Sequence, residues 1–168
     1  MPVCTRTPFR RRTLVAAATL LFMATACADG PRTVHIGSDN CDHCHMTISQ
    51  EPFAAQLITD RGRAYLFDSV ECMAEFLSQG ETVTRDQVRS LWVTDFAAPG
   101  SWVRAEEAWY LRSEQLRSPM GMGLSAYATD EGSRESRDEF GGEIMDWEQV
   151  LRLVAENPVR GMGRSHAH

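Results

Sequence analysis

Two apolar-rich stretches, Phe53 to Thr59 and Arg63 to Phe67, flank the polar Asp60-Arg61-Gly62. Short apolar runs on either side of a glycine-bearing turn predict a β-hairpin. A helical pattern follows. Asp68-Ser69-Val70-Glu71 reads as an N-cap with an acid three residues on, and Val70, Met73 and Leu77 fall on one helical face. Gly80 stops that helix. Further on, Leu91 to Phe96, Ala108 to Leu111 and Leu124 to Thr129 are strand-like, with Pro99-Gly100 between the first two. A polar helix is expected from Ser133 to Phe140, ended by Gly141-Gly142. The last helix is capped by Asp146, carries the stripe Trp147, Val150, Leu151 and Val154, and ends at Pro158. Thr33-Val34-His35-Ile36 is read as a first strand. The order predicts an α+β domain built from two ββα-like halves, with short antiparallel strands and small helices.

The N-terminal apolar run has a different meaning. Arg6, Arg10, Arg11 and Arg12 precede the run Leu14 to Met23, which is followed by Ala24-Thr25-Ala26-Cys27. This is the layout of a secretory signal peptide over residues 1–26, with an apolar core too short to remain as a membrane span. Arg11-Arg12-Thr13-Leu14-Val15 resembles a twin-arginine export signal, and an ordinary basic leader is the other reading. Small residues before Cys27 resemble a bacterial lipobox, which would leave Cys27 lipid-modified at the head of a tether over residues 27–39. Ala24-Thr25-Ala26 also fits plain secretion. The expected working domain spans residues 40–158, followed by a flexible tail at 159–168. Such a protein is exported and faces the periplasm or the outer surface, anchored to the membrane by lipid alone.

Removing the leader sharpens the charge. The 168-residue chain carries 17 basic residues, all arginine, against 23 acidic ones, a formal net charge of -6. Residues 1–26 hold four arginines and no acid, so the remainder has 13 against 23, or -10. That balance argues against a nucleic-acid partner. Of five cysteines, Cys4 leaves with the leader, and an odd, sparse set is not a disulfide scaffold.

Chemistry concentrates in Cys41-Asp42-His43-Cys44-His45-Met46, which offers two thiols, two imidazoles and a thioether within six residues. Two cysteines separated by two residues turn their sulfurs toward one point, suiting a metal or an intrachain disulfide. Soft thiolate and thioether donors select Cu(I), whereas zinc prefers thiolate, imidazole and carboxylate. Three other uses of the motif stand beside copper handling. They are a structural Cys41–Cys44 disulfide, an exported thiol–disulfide oxidoreductase, and a zinc site needing further ligands from Cys72 or the histidines. A thioredoxin-like role sets the motif at the start of a helix after a strand, whereas here it precedes Thr47-Ile48-Ser49 and Pro52.

A second soft cluster, Met120 and Met122, lies in Ser118-Pro119-Met120-Gly121-Met122-Gly123. A Gly- and Pro-rich loop is a poor place for core-filling methionines, so either could complete a three-coordinate Cu(I) site; a plain turn is the bland alternative. Cys72, inside the capped helix, reads as a small buried residue. Met162, His166 and His168 belong to the expected tail. No nucleophile elbow or phosphate-cradling loop is present, and the reading is of a binding and transfer protein, not an enzyme.

Taken in order, these blocks resemble the NosL lipoproteins, accessory proteins of nitrous oxide reductase in denitrification. The resemblance rests on the exported leader and Cys41-x-x-Cys44-x-Met46, then on Phe67-Asp68-Ser69-Val70-Glu71-Cys72-Met73 and Val93-Thr94-Asp95-Phe96. Ser118-Pro119-Met120-Gly121 and the passage from Gly141-Gly142-Glu143-Ile144 to Trp147 complete it. It implies paired ββα units related to an organomercurial lyase domain. It also implies a metallochaperone that carries Cu(I) outside the cytoplasm toward nitrous oxide reductase or its copper and ABC-transporter maturation partners. The residues carried over as metal ligands are Cys41, Cys44, Met46 and Met120, with Met122 and His45 in reserve. The family's motif has glycine before the methionine where this chain has His45, and glycine is the residue that adopts positive φ cheaply.

Overall fold

The structure, a computed structural model, describes residues 30–158. The expected signal peptide, Cys27 and the expected tail lie outside the described residues. The hairpin forms as read: β1 (Ala55–Thr59) pairs antiparallel with β2 (Ala64–Phe67), Leu57 opposite Tyr65. Helix α1 (Val70–Gln79) follows at once and ends at Gly80. Strands β3 (Val88–Thr94) and β4 (Trp102–Arg104) extend the sheet in the order β2-β1-β3-β4. The second half repeats the plan: β5 (Trp109–Arg112), β6 (Leu124–Tyr127) and α2 (Asp130–Phe140), then β7 (Glu143–Met145) on the far side of β5, in the order β6-β5-β7. Both halves are therefore a ββα unit whose first strand takes a third strand on its other edge. Helix α3 (Trp147–Glu156) is an addition to the second half.

Position in the fold explains the burial patterns. Strand β1 has neighbours on both edges, and all five of its residues are buried. Helix α1 packs on β1, β2, β6 and α3, so its face is not a stripe: every residue from Val70 to Leu77 is buried. Helix α2 buries only Ser133 and keeps a polar outer face. Helix α3 buries Trp147, Val150, Leu153 and Val154 against α1. One continuous core runs from Leu57, Phe67 and Met73 through Tyr110 and Leu124 to Val150. Burying each large side chain in such a core contributes roughly 1.5–3 kcal/mol. Among the described residues, no helix is long and apolar enough to cross a membrane.

Three local readings are corrected. Thr33 to Ile36 is not a strand. It stays irregular, and Arg32 just before it is held by the Gln56 side-chain amide, which accepts from the Arg32 N–H at 3.0 Å and donates to the Arg32 carbonyl at 2.7 Å. The stretch expected as a tether is thus fastened to the domain from Arg32 onward. The cap of α1 is Ser69, not Asp68; its hydroxyl accepts from the Cys72 N–H at 3.4 Å. Residues Ala128 and Thr129 leave the β6 ladder, Thr129 capping α2 through the Gly132 N–H.

Glycine is required where β5 ends. A Cβ on Gly123 (φ +70°) would lie 2.0 Å from the Ser113 carbonyl oxygen, and one on Gly142 (φ +104°) would lie 2.1 Å from that of Arg112. These two glycines let the methionine loop and the approach to β7 close onto the same strand end.

Candidate metal centre

The cysteine loop is built on the free edge of the first sheet. Asp42 docks it to β2 twice: its N–H donates to the Leu66 carbonyl at 2.7 Å, and its carboxylate accepts from the Leu66 N–H at 2.7 Å. The loop closes on itself through Cys41 N–H to the Met46 carbonyl at 2.8 Å and His45 N–H to the Cys41 carbonyl at 3.0 Å. Closing so short a turn puts His45 at φ +63°, the one positive-φ non-glycine residue among those described. A histidine therefore keeps the conformation that glycine would adopt without strain.

Docking on β2 brings the loop against the start of α1. The sulfurs of Cys41, Cys44 and Cys72 and a carboxylate oxygen of Asp68 all lie within 4.8 Å of one another. Cys41 (1% exposed) and Cys72 (0%) are buried, and Cys44 is half-buried. All three are free thiols. The sequence motif links Cys41 with Cys44, whereas Asp68 reads there as a cap and Cys72 as a core residue or, in the zinc alternative, a further ligand. Their four-residue separation sets both on one side of the first helical turn, which is the signal that could have joined them to the loop.

The electrostatics of the three thiols differ sharply. Cys72 donates to the Cys41 sulfur, and the N–H groups of Cys44 and Asp68 donate to it as well; against burial, they lower Cys41 to about 7. Cys44 is pushed up to about 12, chiefly by burial and then by the nearby Cys41 and Asp68 charges, although the Met46 N–H donates to its sulfur. Cys72 is raised because it holds its proton toward Cys41, and burial adds to this. The Cys44 thiol also reaches Asp68 Oδ2 at 3.7 Å.

Two neighbouring polar atoms are left without partners. Asp68 is 2% exposed and its Oδ1 accepts no hydrogen bond; the Nε2 of His43 is likewise buried and unpartnered. Burial lowers the His43 pKa, against the pull of Glu75 and Asp68. Orphaned polar atoms beside a thiol cluster are what a cation would satisfy.

The methionine loop is tied to the same helix. Ser118 donates to Glu71 Oε1 at 2.6 Å and accepts from the Gly123 N–H at 2.9 Å. Glu71 is fully buried and its carboxyl is raised by desolvation. Since Glu71 directly precedes Cys72, this contact holds the Met120–Met122 loop to the helix that carries the third thiol. Met120 and Met122 are half-buried and pack on the core cluster that includes Cys41 and Cys72. Met46 is half-buried, and His45 is exposed.

Comparison with known proteins agrees with this architecture. A family model described as NosL matches residues 33–154. The chain is 24% identical over 139 residues to the copper-binding lipoprotein NosL of Stutzerimonas stutzeri, covering 78% of this chain and 72% of that protein. Its fold resembles the crystal structure of the copper chaperone NosL from Shewanella denitrificans, with a TM-score of 0.60 and 19% identity, covering 71% of this chain and 96% of that one.

Proposed function

The chain belongs to the NosL family, and from that premise we infer that it is an exported, lipid-anchored Cu(I) metallochaperone that supplies copper for nitrous oxide reductase maturation. The observation that carries the reading is the convergence of Cys41 and Cys44 in a loop docked beside α1, with the methionine loop fastened to that same helix through Glu71. Two thiolates supplemented by thioether sulfur form a donor set selective for Cu(I). Cys41, Cys44, Met46 and Met120 are its ligands in this reading, with Met122 and His45 in reserve. The names of the two relatives, a copper-binding lipoprotein and a copper chaperone, support copper as the cargo.

Burial sets a direction for transfer. Cys41 is enclosed, while Cys44 and Met46 are partly open to solvent. A partner's sulfur or imidazole ligand therefore approaches from the Cys44–Met46 side, and copper leaves by stepwise ligand exchange, Cys41 releasing it last. The arrangement suits a thiol–disulfide oxidoreductase less well: an attacking thiol needs exposure and a low pKa together, and here the low-pKa thiol is the buried one.

The test is anaerobic titration of the mature domain with Cu(I) against a competing chelator, read by X-ray absorption for sulfur neighbours. The expected result is one tightly held copper with sulfur-dominated coordination, lost in Cys41→Ser/Cys44→Ser and weakened in Met120→Ala. Unchanged Cu(I) affinity in the double cysteine variant would refute the site. Copper transfer from the loaded domain to apo nitrous oxide reductase tests the client.

A further inference from the structure

The chain enters the domain across one face of the first sheet. Tyr65 and Phe67 pack on Phe76 of α1, with ring centroids 5.1 and 5.2 Å apart. Alternation along the strands turns Leu66, and Gln56 opposite it, to the face away from α1. On that outer face Trp92 lies opposite Gln56, and Arg104 lies opposite Trp92 with its guanidinium 5.3 Å from the ring centre. Gln56 is nevertheless buried, and its amide is the group that holds the Arg32 backbone. Beside this crossing Val34, Ile36 and Trp102 line an open groove of about 300 Å³, with Arg32 and Glu51 as its charged lining. Ile36 is 39% exposed, an unusual position for a large apolar side chain in this domain.

The length of the tether decides what can meet this face. Cys27, the lipid-bearing residue of the proposed function, precedes Arg32 by five positions. Five residues fully extended span at most about 17–18 Å. A domain of roughly 130 residues has a radius of gyration near 14 Å, hence a diameter of about 36 Å. The tether is about half as long as the domain is wide, so the side opposite Arg32 cannot reach the bilayer that holds the lipid. The side that can reach it carries suitable groups. Tryptophan settles at the membrane–water interface, and arginine lays its stem along apolar surface while its guanidinium stays among the headgroups. The charge of the rest works in the same direction. With 13 arginines against 23 acids after removal of the leader, the chain is repelled by anionic lipid except where arginine faces it.

We propose that the outer face of the first sheet, centred on Val34, Ile36 and Trp102 and edged by Arg32 and Arg104, docks on the phospholipid headgroup layer that holds the chain's own anchor. This orientation rests on the lipid-anchored reading of Cys27 and adds to it a defined face. Helix α1 packs on the opposite side of the sheet and touches the second sheet through β6, so both stand clear of the bilayer. The anchored domain thus turns its helical layer to the aqueous compartment, where a copper-exchanging partner meets it.

The test uses the full chain expressed with its own leader, purified from membranes and reconstituted into vesicles of phosphatidylethanolamine and phosphatidylglycerol. Mass spectrometry of the N-terminal peptide reads the anchor. Brominated phospholipid in the vesicles reads the contact by quenching tryptophan fluorescence. The expected result is an acylated Cys27 and quenching that Trp102→Phe sharply reduces. Trp109, 41% exposed on β5 of the second sheet, is the control, because undirected contact would quench it first. Trp109→Phe and the buried Trp147→Phe should therefore leave the quenching intact. Ile36→Asp changes an exposed position and keeps every tryptophan, and it should also reduce the quenching. Near-UV circular dichroism establishes that each variant folds, and Ile36→Asp decides the matter should Trp102→Phe fail to fold. An acylated chain without quenching, or with quenching carried by Trp109, overturns the docking face and leaves the anchor standing. An unmodified N-terminal peptide overturns both.

Discussion

Replacing His45 with glycine tests whether the cysteine loop closes through a left-handed residue. An L-residue in that region is disfavoured by roughly 1–2 kcal/mol, though histidine tolerates it better than most. Glycine removes the penalty but gains conformational freedom in the unfolded chain, an opposing effect of about 0.5–1 kcal/mol. The side chain is exposed, so no packing is lost on truncation. The net expectation for His45→Gly is about 0.5–1 kcal/mol of added stability, or roughly 2–4 °C in Tm for a domain of this size. His45→Val should move the other way by about 1–2 kcal/mol, because a β-branched residue is poorly accommodated at φ +63°. Thermal and urea unfolding of the three reduced proteins gives the order glycine, histidine, valine. A valine variant as stable as the parent would refute the left-handed closure. The same series reads copper: unchanged Cu(I) affinity in His45→Gly removes the imidazole from the ligand set, and a loss of about 10-fold or more would place it there.

The junction of the methionine loop with β5 should tolerate no side chain at Gly123. Gly123→Ala forces a methyl group to within 2.0 Å of the Ser113 carbonyl oxygen at φ +70°, and is expected to cost about 3 kcal/mol or more in urea unfolding and to weaken Cu(I) retention. Ser118→Ala deletes the 2.6 Å contact to the fully buried Glu71, an expected loss of about 1–3 kcal/mol, whereas Glu71→Gln, which keeps a partner for Ser118, should cost less. Stability of the reduced domain should also depend on pH. Cys41 falls from 9.0 to about 7 on folding, so its contribution, up to roughly 2–3 kcal/mol, is complete above pH 9 and is lost as pH falls through 7. Cys44 shifts from 9.0 to about 12, so its effect has the opposite sign and removes stability as pH rises beyond 9. Denaturant melts across this range should show a rise from pH 7 to pH 9 that Cys41→Ser abolishes.

The sequence by itself determined what is decided over a few neighbouring residues. The hairpin turn at Asp60-Arg61-Gly62, the end of α1 at Gly80, the capping of α3 by Asp146 and the pairing of Cys41 with Cys44 all depend on local geometry. The ββα plan was legible for the same reason, since each unit is a hairpin running straight into a helix. The three-residue strands β4 and β7 were not, because so short a run has no period of its own and exists only where a neighbouring strand offers its edge. Thr33 to Ile36 shows the converse: a segment of strand-like composition forms no ladder and stays irregular, with Arg32 just before it fixed by the Gln56 amide. The metal centre divides along the same line. Its loop half was visible as a short motif, whereas Asp68 and Cys72 looked like a cap and a core residue. Only the docking of Asp42 on β2 turns the loop toward the first turn of α1. A cluster whose two halves are 24 residues apart is set by strand register and by the packing of helix on sheet, which no single stretch of sequence contains.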